Sequence, residues 1–267
     1  MSFDNHLIYA FLLTFLAGLS TGIGGLIAFF VKKDNIQALS LGLGFSAGVM
    51  IYVSLTEILR ESSISLQGVF GQIPGEFINI AIFFTGMVIA AIIDKLVPED
   101  MSHNIEFLNG NENENLSGCR LCRTGLFMAI VLALHNFPEG IATFVSSMAN
   151  ITLGVSIAVA IAIHNIPEGI AVALPIYYST KSKKKAFGAA LLSGMVEPVG
   201  AVVGFLLLQS VLNNVTLGIL LAAVAGIMVY ISFDELLPMA REYGNGHIEI
   251  IGVSLGMLVM AVSLVLL

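Results

Sequence analysis

Long apolar segments alternate with short polar ones along the whole chain. A membrane-spanning helix needs about 20 mostly apolar residues, and eight segments of the chain meet that length. They cover residues 7–30, 37–59, 77–96, 124–148, 152–178, 186–210, 215–237 and 246–267. Because a strand lying open in lipid would leave its backbone groups unpaired, each span is predicted to be a helix. The pattern predicts an all-α integral membrane protein, with residues 1–267 forming a single transmembrane domain.

Composition supports the same class and argues against two others. Of the 267 residues, 57% are hydrophobic and only 11% are charged, whereas a soluble domain carries about a quarter charged residues. A chain this apolar cannot keep a water-facing surface, so we expect the lipid bilayer to cover most of it. The formal net charge is −7, so the chain has no excess of basic residues that would indicate a nucleic-acid partner.

The basic residues predict how the chain is oriented. With eight spans the loops alternate between two sides, and ten Lys and Arg residues fall on one side against Arg60 alone on the other. The ten are Lys32, Lys33, Lys95, Arg120, Arg123, Lys181, Lys183, Lys184, Lys185 and Arg241. The positive-inside rule then predicts a multi-pass protein of the cell (plasma or inner) membrane with both termini outside. The loop 97–123, with its polar run NGNENEN, would be cytoplasmic and flexible.

Two sequence repeats divide the chain. In spans four and five, LALHNFPEGIATFV (132–145) aligns with IAIHNIPEGIAVAL (161–174). In spans two and seven, AGVMIYVSLTEIL (47–59) aligns with AGIMVYISFDELL (225–237). The members of each pair run in opposite directions, which predicts a 3+2+3 inverted-repeat bundle around a symmetric central pair. Inverted repeats with polar groups at the membrane midplane are typical of transporters.

Polar side chains are predicted to converge at that midplane. Each residue of a helix advances about 100°, so the His, Asn and Glu of each HNxPEG motif share one stripe. With the acid of GMVEPVGA in span six, the group comprises His135, Asn136, Glu139, His164, Asn165, Glu168 and Glu197. A central acid costs about 2.5–3.5 kcal/mol on insertion scales and usually marks an ion pathway. No Lys or Arg lies in these spans, so bound metal ions or protons must neutralise the acids.

The donor types indicate transition metals. Imidazole with carboxylate suits zinc and its first-row neighbours, and amide oxygens admit harder ions such as manganese. Each Glu lies between a His and an Asn, so Glu139 and Glu168 could bridge two metals. The His-rich site would then comprise His135, Glu139, His164 and Glu168. The oxygen-rich site would comprise Asn136, Glu139, Asn165, Glu168 and Glu197. The metal, Zn²⁺ or another divalent ion, is a substrate, and no catalytic cofactor is expected.

Two further stripes are candidate parts of the ion pathway. Met50, Ser54 and Glu57 lead outward on span two. Their counterparts on span seven lead inward and are Met228, Ser232, Asp234 and Glu235. Met50 is also a candidate soft ligand, with core packing as the alternative role. Glu57 and Glu235 lie near helix ends, where the alternative is a side chain that snorkels to water.

The doubled HNxPEG motif, the GMVEPVGA segment and the eight spans resemble the ZIP (Zrt-, Irt-like) metal transporters, and within them the bacterial ZupT-type branch. The resemblance covers essentially the whole chain. It implies uptake from outside to cytoplasm, a binuclear metal centre, a homodimer, and breadth from Zn²⁺ to Fe²⁺, Mn²⁺, Co²⁺ and Cd²⁺. The family's ligands fall on the seven midplane residues above and on Met50. The chain departs from many relatives in its cytoplasmic loop, which has Cys119 and Cys122 but only His103 in place of a His-rich segment.

Other function classes remain as alternatives. An intramembrane zinc protease would need H-E-x-x-H, but Asn136 and Asn165 occupy the Glu positions. A di-iron oxidase would need Glu-x-x-His pairs, whereas the order here is His-x-x-x-Glu. The sequence therefore argues against an enzyme. A metal efflux protein, or a receptor that binds metal without transport, stays open on the residues alone, and the resemblance favours import.

Overall fold

The computed structural model of the protein describes residues 3–30, 35–96, 112–149, 151–207 and 213–266, and the regular structure in these ranges is helical. The elements are α1 (Phe3–Phe30), α2 (Ile36–Val53), π1 (Ser54–Ile58), α3 (Leu59–Phe70), α4 (Gln72–Leu96), α5 (Glu112–Ala149), α6 (Ile151–Thr180), α7 (Lys183–Gly194), α8 (Val196–Leu207), α9 (Asn214–Ile231), π2 (Ser232–Leu236), α10 (Leu237–Tyr243) and α11 (Ile248–Leu266). Within these ranges, eight continuous helical stretches are long and apolar enough to cross a membrane. This confirms the predicted class, an all-α membrane protein with eight spans.

Several boundaries differ from the sequence prediction. Span two continues through π1 and α3 to Phe70, and span seven continues through π2 and α10 to Tyr243. Helix α5 begins at Glu112, inside the segment predicted as a flexible loop. Glu has a good helix propensity, so a polar stretch can extend a helix beyond its apolar span. Residues 97–111 lie outside the described residues, as do the side chains of Cys119 and Cys122.

The two copies of the second sequence repeat share one backbone irregularity. Each changes from an α-helix to a π turn at the equivalent serine, Ser54 in π1 and Ser232 in π2. The N–H of the residue after each turn, Leu59 or Leu237, bonds to the carbonyl of that serine five positions earlier. An i→i+5 turn holds one residue more than an α turn, so positions after it are rotated relative to the α-helical register. A stripe drawn with α-helical spacing therefore does not continue unchanged beyond Ser54.

The central pair of helices, α5 and α6, forms the middle of the bundle. The two pack against each other, α1 packs on α6, and α7 and α8 pack on α5. On the periphery α2 pairs with α11, and α9 pairs with α4. The outer members of these pairs, α4 and α11, bury few of their residues, because only 22% of the apolar window of each lies inside the protein. Their remaining apolar surface suits contact with lipid.

Glycines let the backbones around the central pair come into contact. A Cβ atom added to Gly140 of α5 would collide with Glu197 O, and one added to Gly169 of α6 would collide with Thr21 O. Small residues at helix crossings allow such close approach in membrane bundles. These contacts fix α1 and α8 against the two HNxPEG motifs.

Span six is interrupted at Met195, between α7 and α8. Pro198 follows in the first turn of α8 and has no N–H to donate to the carbonyl of Gly194 four residues earlier. That carbonyl faces Gly18 of α1, whose lack of a Cβ leaves room for it. The interruption lies two residues before Glu197, so it sets the local direction of the chain that carries this acid.

One prediction concerns these crossings and uses a glycine remote from the HNxPEG motifs. We expect Gly226→Ala to lower the melting temperature of the purified protein, because its Cβ would collide with Phe83 O. Gly188→Ala is the matched control, since Gly188 is also helical and has no atom within 4 Å of its added Cβ. Removing a helical glycine there should be neutral or stabilising by up to about 1 kcal/mol. Equal melting temperatures for the two variants would contradict the packing role of Gly226.

Candidate metal centre

All seven residues predicted for the midplane lie in the interior of the protein, and none is more than 4% exposed. They come from three spans: α5 carries the first HNxPEG motif, α6 carries the second, and α8 carries Glu197. Both motif helices continue through their prolines, Pro138 and Pro167. The structure therefore brings together the side chains that the sequence assigned to one site.

The two histidines converge on the two motif carboxylates. His135 Nε2 lies 3.0 Å from Glu139 Oε1 and 3.1 Å from Glu168 Oε1. His164 Nε2 lies 2.8 Å from the same Glu139 Oε1. One ligand atom each from His135, His164 and Glu168 fall within 4.8 Å of one another. Zinc–ligand distances of about 2.0–2.2 Å place tetrahedral ligand atoms about 3.3–3.6 Å apart, so only small shifts of these donors would be needed to place them around one ion.

The two asparagines are held by their amide nitrogens. Asn136 Nδ2 donates to the carbonyl of Ser193, 3.1 Å away on α7, and Asn165 Nδ2 donates to the carbonyl of Ala17, 3.1 Å away on α1. Asn165 Nδ2 also contacts Glu197 Oε1. These bonds fix each amide so that its oxygen is the free end. Orientation of a ligand by a hydrogen bond on its other side is a general feature of metal sites.

The site contains buried oxygens that no described residue satisfies. Within the described part of the chain, no hydrogen-bond donor reaches Glu139 Oε2, Glu168 Oε2, Glu197 Oε2, Asn136 Oδ1 or Asn165 Oδ1. A buried polar atom without a partner costs about 1–3 kcal/mol, and such atoms are rare in native proteins. Five of them in one place argue against a self-contained structural network. They are the oxygens that a bound cation would use.

The charge of the site leads to the same conclusion. Glu139, Glu168 and Glu197 are all buried, and no Lys or Arg is among the buried residues of the described part of the chain. A buried charge is stable only when it is paired or coordinates a metal. Imidazole nitrogens, carboxylates and amide oxygens together suit zinc and other first-row divalent ions.

The predicted pathway residues divide into an interior set and a surface set. Met50, Ser54, Met228 and Ser232 are fully buried. Ser54 Oγ bonds to Met50 O at 2.6 Å and contacts Met228 Sδ at 3.3 Å, so the two stripes meet. Glu57 and Asp234 are exposed and Glu235 is half-buried. Whether ions follow these residues, and whether Met50 binds one, stay predictions.

Sequence reasoning missed three features of the region. Asp94 of α4 lies with Asp234 and Glu235, with one carboxylate oxygen of each within 4.8 Å of the others. The backbone carbonyls of Ala17 and Ser193 anchor the asparagines, although carbonyls carry no sequence signal. Thr21 of α1 is buried beside Gly194 with no hydrogen-bond partner for Oγ1 among the described residues.

The fold and the site together define a class: a multi-pass helical membrane protein with imidazole, carboxylate and amide donors buried at its central helix pair and the adjoining α8. Residues 95–264 match the family model described as ZIP Zinc transporter. The chain therefore belongs to the ZIP zinc transporter family, as the sequence motifs predicted. This family consists of transporters, which confirms the prediction that the protein is not an enzyme.

Curated relatives match along nearly the whole chain. The chain is 52% identical over 276 residues to the zinc transporter ZupT of Clostridium perfringens, covering 98% of this chain and 97% of that protein. It is 53% identical over 264 residues to the zinc transporter ZupT of Streptococcus mutans, covering 98% and 99%. It is 51% identical over 265 residues to the zinc transporter ZupT of Akkermansia muciniphila, covering 98% of each.

The site geometry predicts that Glu139 is indispensable for metal binding. Its Oε1 lies within 3.0 Å of both imidazole nitrogens, His135 Nε2 and His164 Nε2. We expect Glu139→Gln to weaken zinc binding by more than about 100-fold, because loss of an outer-shell partner alone costs 10–100-fold. Isothermal titration calorimetry on the purified protein would measure the change.

Glu76→Gln is the matched control for that experiment. Glu76 is also an acid within a span, but its carboxylate accepts hydrogen bonds from Ser63 and Gln67, remote from the HNxPEG motifs. Its loss should lower the melting temperature and leave the zinc affinity within about twofold, since no metal donor changes. Similar zinc affinities in Glu139→Gln and the unmodified protein would contradict the assigned site.

Proposed function

We propose that the protein takes up divalent transition-metal ions, chiefly Zn²⁺, across the cell membrane, with breadth to Fe²⁺, Mn²⁺, Co²⁺ and Cd²⁺. The observation that carries the proposal is the group of buried, unpartnered carboxylate and amide oxygens beside two imidazoles. Relatives about half identical over nearly the full chain are named zinc transporters, which supports zinc as the principal substrate.

The proposed centre binds two ions that share carboxylates. The His-rich half takes its nitrogen donors from His135 and His164, and the oxygen-rich half takes Asn136, Asn165 and Glu197. Glu139 and Glu168 each offer two oxygens and bridge the halves. Support comes from Glu139, whose Oε1 contacts both imidazoles while its Oε2 has no partner among the described residues. The softer nitrogen donors suit zinc, whereas the oxygen donors extend the range to manganese.

An inverted 3+2+3 repeat is part of the proposal. Three pairs of equivalent features support it. The π turns begin at equivalent serines, Ser54 and Ser232, and the side-chain amide of each motif asparagine donates a hydrogen bond to a backbone carbonyl. The third pair is the glycine-mediated contact of α2 with α11 and that of α9 with α4. In transporters with inverted repeats, the substrate site lies at the repeat interface and access alternates by movement of one repeat against the other.

We further propose that the protein is a homodimer and that net transport is inward, both carried over from the family resemblance. Light scattering of the purified protein would measure its mass, and a monomer alone would contradict the dimer. Efflux is the competing direction. Metal loaded on one side of vesicles of known protein orientation distinguishes the two directions.

Transport itself gives the central prediction. In proteoliposomes loaded with a zinc-sensitive dye, we expect the unmodified protein to take up zinc, with Mn²⁺, Fe²⁺, Co²⁺ and Cd²⁺ as competitors. Glu139→Ala and Glu168→Ala should reduce uptake to background, because each removes a donor from both halves of the centre. Glu197→Ala should be milder, since Glu197 serves the oxygen-rich half alone. Equal loss in all three variants would contradict this division, and full activity in Glu139→Ala would exclude the midplane site.

The orientation of the chain gives a second prediction. With Cys119 and Cys122 replaced by serine, a cysteine at the exposed Gln72 should react with an impermeant maleimide on intact cells, and a cysteine at the exposed Lys184 should not. The expectation follows from the excess of basic residues on the Lys184 side of the membrane. Permeabilised cells provide the control, because both cysteines should react there. External labelling at Lys184 would reverse the topology.

A further inference from the structure

Thr21 is a buried polar residue beside the centre that no ligand assignment includes. It lies on α1 with none of its surface exposed, and its Oγ1 has no hydrogen-bond partner in the described part of the chain. The side chain points toward span six, where a Cβ atom on Gly194 would lie 2.7 Å from Thr21 Oγ1. The carbonyl of Ser193, the neighbour of Gly194, accepts the amide of Asn136 at 3.1 Å, so the Thr21 hydroxyl and the Asn136 side chain both lie against the same segment of span six.

The free hydroxyl has a structural cause. A buried threonine in a helix commonly bonds to the carbonyl four residues earlier, as Thr14 Oγ1 does to Ala10 O at 2.9 Å in the same helix. For Thr21 that carbonyl belongs to Ala17, and Asn165 Nδ2 already donates to it at 3.1 Å. Ser20 Oγ also donates to Ala17 O, at 2.6 Å, so these two bonds together occupy the acceptor that Thr21 would otherwise use.

Thr21 and Glu197 hold equivalent positions around the central pair. The glycine after Glu139, Gly140, packs on the backbone oxygen of Glu197, and the glycine after Glu168, Gly169, packs on the backbone oxygen of Thr21. The carbonyl one turn before Glu197 accepts the amide of Asn136, just as the carbonyl one turn before Thr21 accepts the amide of Asn165. In both cases the accepting carbonyl belongs to the residue four positions earlier in the chain, Ser193 for Glu197 and Ala17 for Thr21.

The equivalence breaks down at the side chains. Asn165 contacts the carboxylate of Glu197. At the equivalent crossing, the shorter Thr21 forms no hydrogen bond to Asn136, and both Thr21 Oγ1 and Asn136 Oδ1 lack a partner among the described residues. These two buried oxygens without donors belong to side chains that contact the Ser193–Gly194 segment of span six.

We propose that Thr21 Oγ1 and Asn136 Oδ1 supply neutral oxygens to the cation in the oxygen-rich half of the centre, directly or through one of its water ligands, in addition to the anionic Glu197. The proposal deepens the proposed function and rests on it. Neutral hydroxyl and amide oxygens are hard donors that favour Mn²⁺ over Zn²⁺ relative to imidazole. Thr21 would therefore influence which ions the oxygen-rich half accepts, and would leave the His-rich half unaffected.

The test compares Mn²⁺ and Zn²⁺ binding to the purified protein. Free Mn²⁺ is measured by electron paramagnetic resonance and Zn²⁺ by calorimetry, for the unmodified chain and for Thr21→Val, Thr21→Ser and Thr14→Val. We expect Thr21→Val, which keeps the shape and removes the hydroxyl, to weaken Mn²⁺ binding at least about tenfold and to change the tightest Zn²⁺ affinity less than about twofold. Thr21→Ser should retain Mn²⁺ binding. Thr14→Val is the matched control from the same helix and should bind both metals normally.

Several outcomes would overturn the proposal. Normal Mn²⁺ binding by Thr21→Val would do so, as would absence of Mn²⁺ binding in the unmodified chain. Equal loss of both metals in Thr21→Val, with a lower melting temperature and no rescue by Thr21→Ser, would assign Thr21 to packing instead. Failure of the proposed function is separate, because it would appear as absence of zinc uptake by the unmodified protein in proteoliposomes.

Discussion

Three carboxylates buried among membrane-spanning helices without a basic partner are the constraint on which the rest of this structure depends. Glu139, Glu168 and Glu197 lie where water is scarce, and no buried Lys or Arg accompanies them in the described part of the chain. Such charges persist only with a cation or protons. The surrounding helices must therefore hold the acids close together and keep their oxygens free for a ligand.

Backbone contacts provide this rigidity. Gly140 and Gly169 let the two motif helices pack directly against the main chain at Glu197 and Thr21. Backbone carbonyls on spans one and six accept hydrogen bonds from the amide nitrogens of the two motif asparagines. Side chains held by such second contacts keep their geometry before a ligand binds, which reduces the entropy cost of binding. The centre thus joins four spans through main-chain atoms and leaves most side-chain oxygens available.

Spans two and seven share an irregular backbone. Spans two and seven contain π turns at equivalent serines, and a buried methionine lies one turn before each of them. Ser54 Oγ connects the two spans, because it donates to Met50 O and contacts Met228 Sδ. π turns are uncommon and frequently lie at functional sites. In each copy the π turn shifts the residues after it relative to the α-helical register while the helix continues.

The sequence by itself determined the class of protein, the eight spans and the seven midplane side chains, because apolar length and helical spacing are local properties of the chain. It did not predict the π turns, the break at Met195, the helical start at Glu112 or the isolation of Thr21 Oγ1. Most of these depend on contacts between residues distant in sequence. Thr21 combines both kinds of contact: the carbonyl of Ala17, which its hydroxyl would otherwise use, accepts Ser20 Oγ from the same helix and Asn165 Nδ2 from another helix. Only the tertiary structure could decide which oxygens stayed without partners.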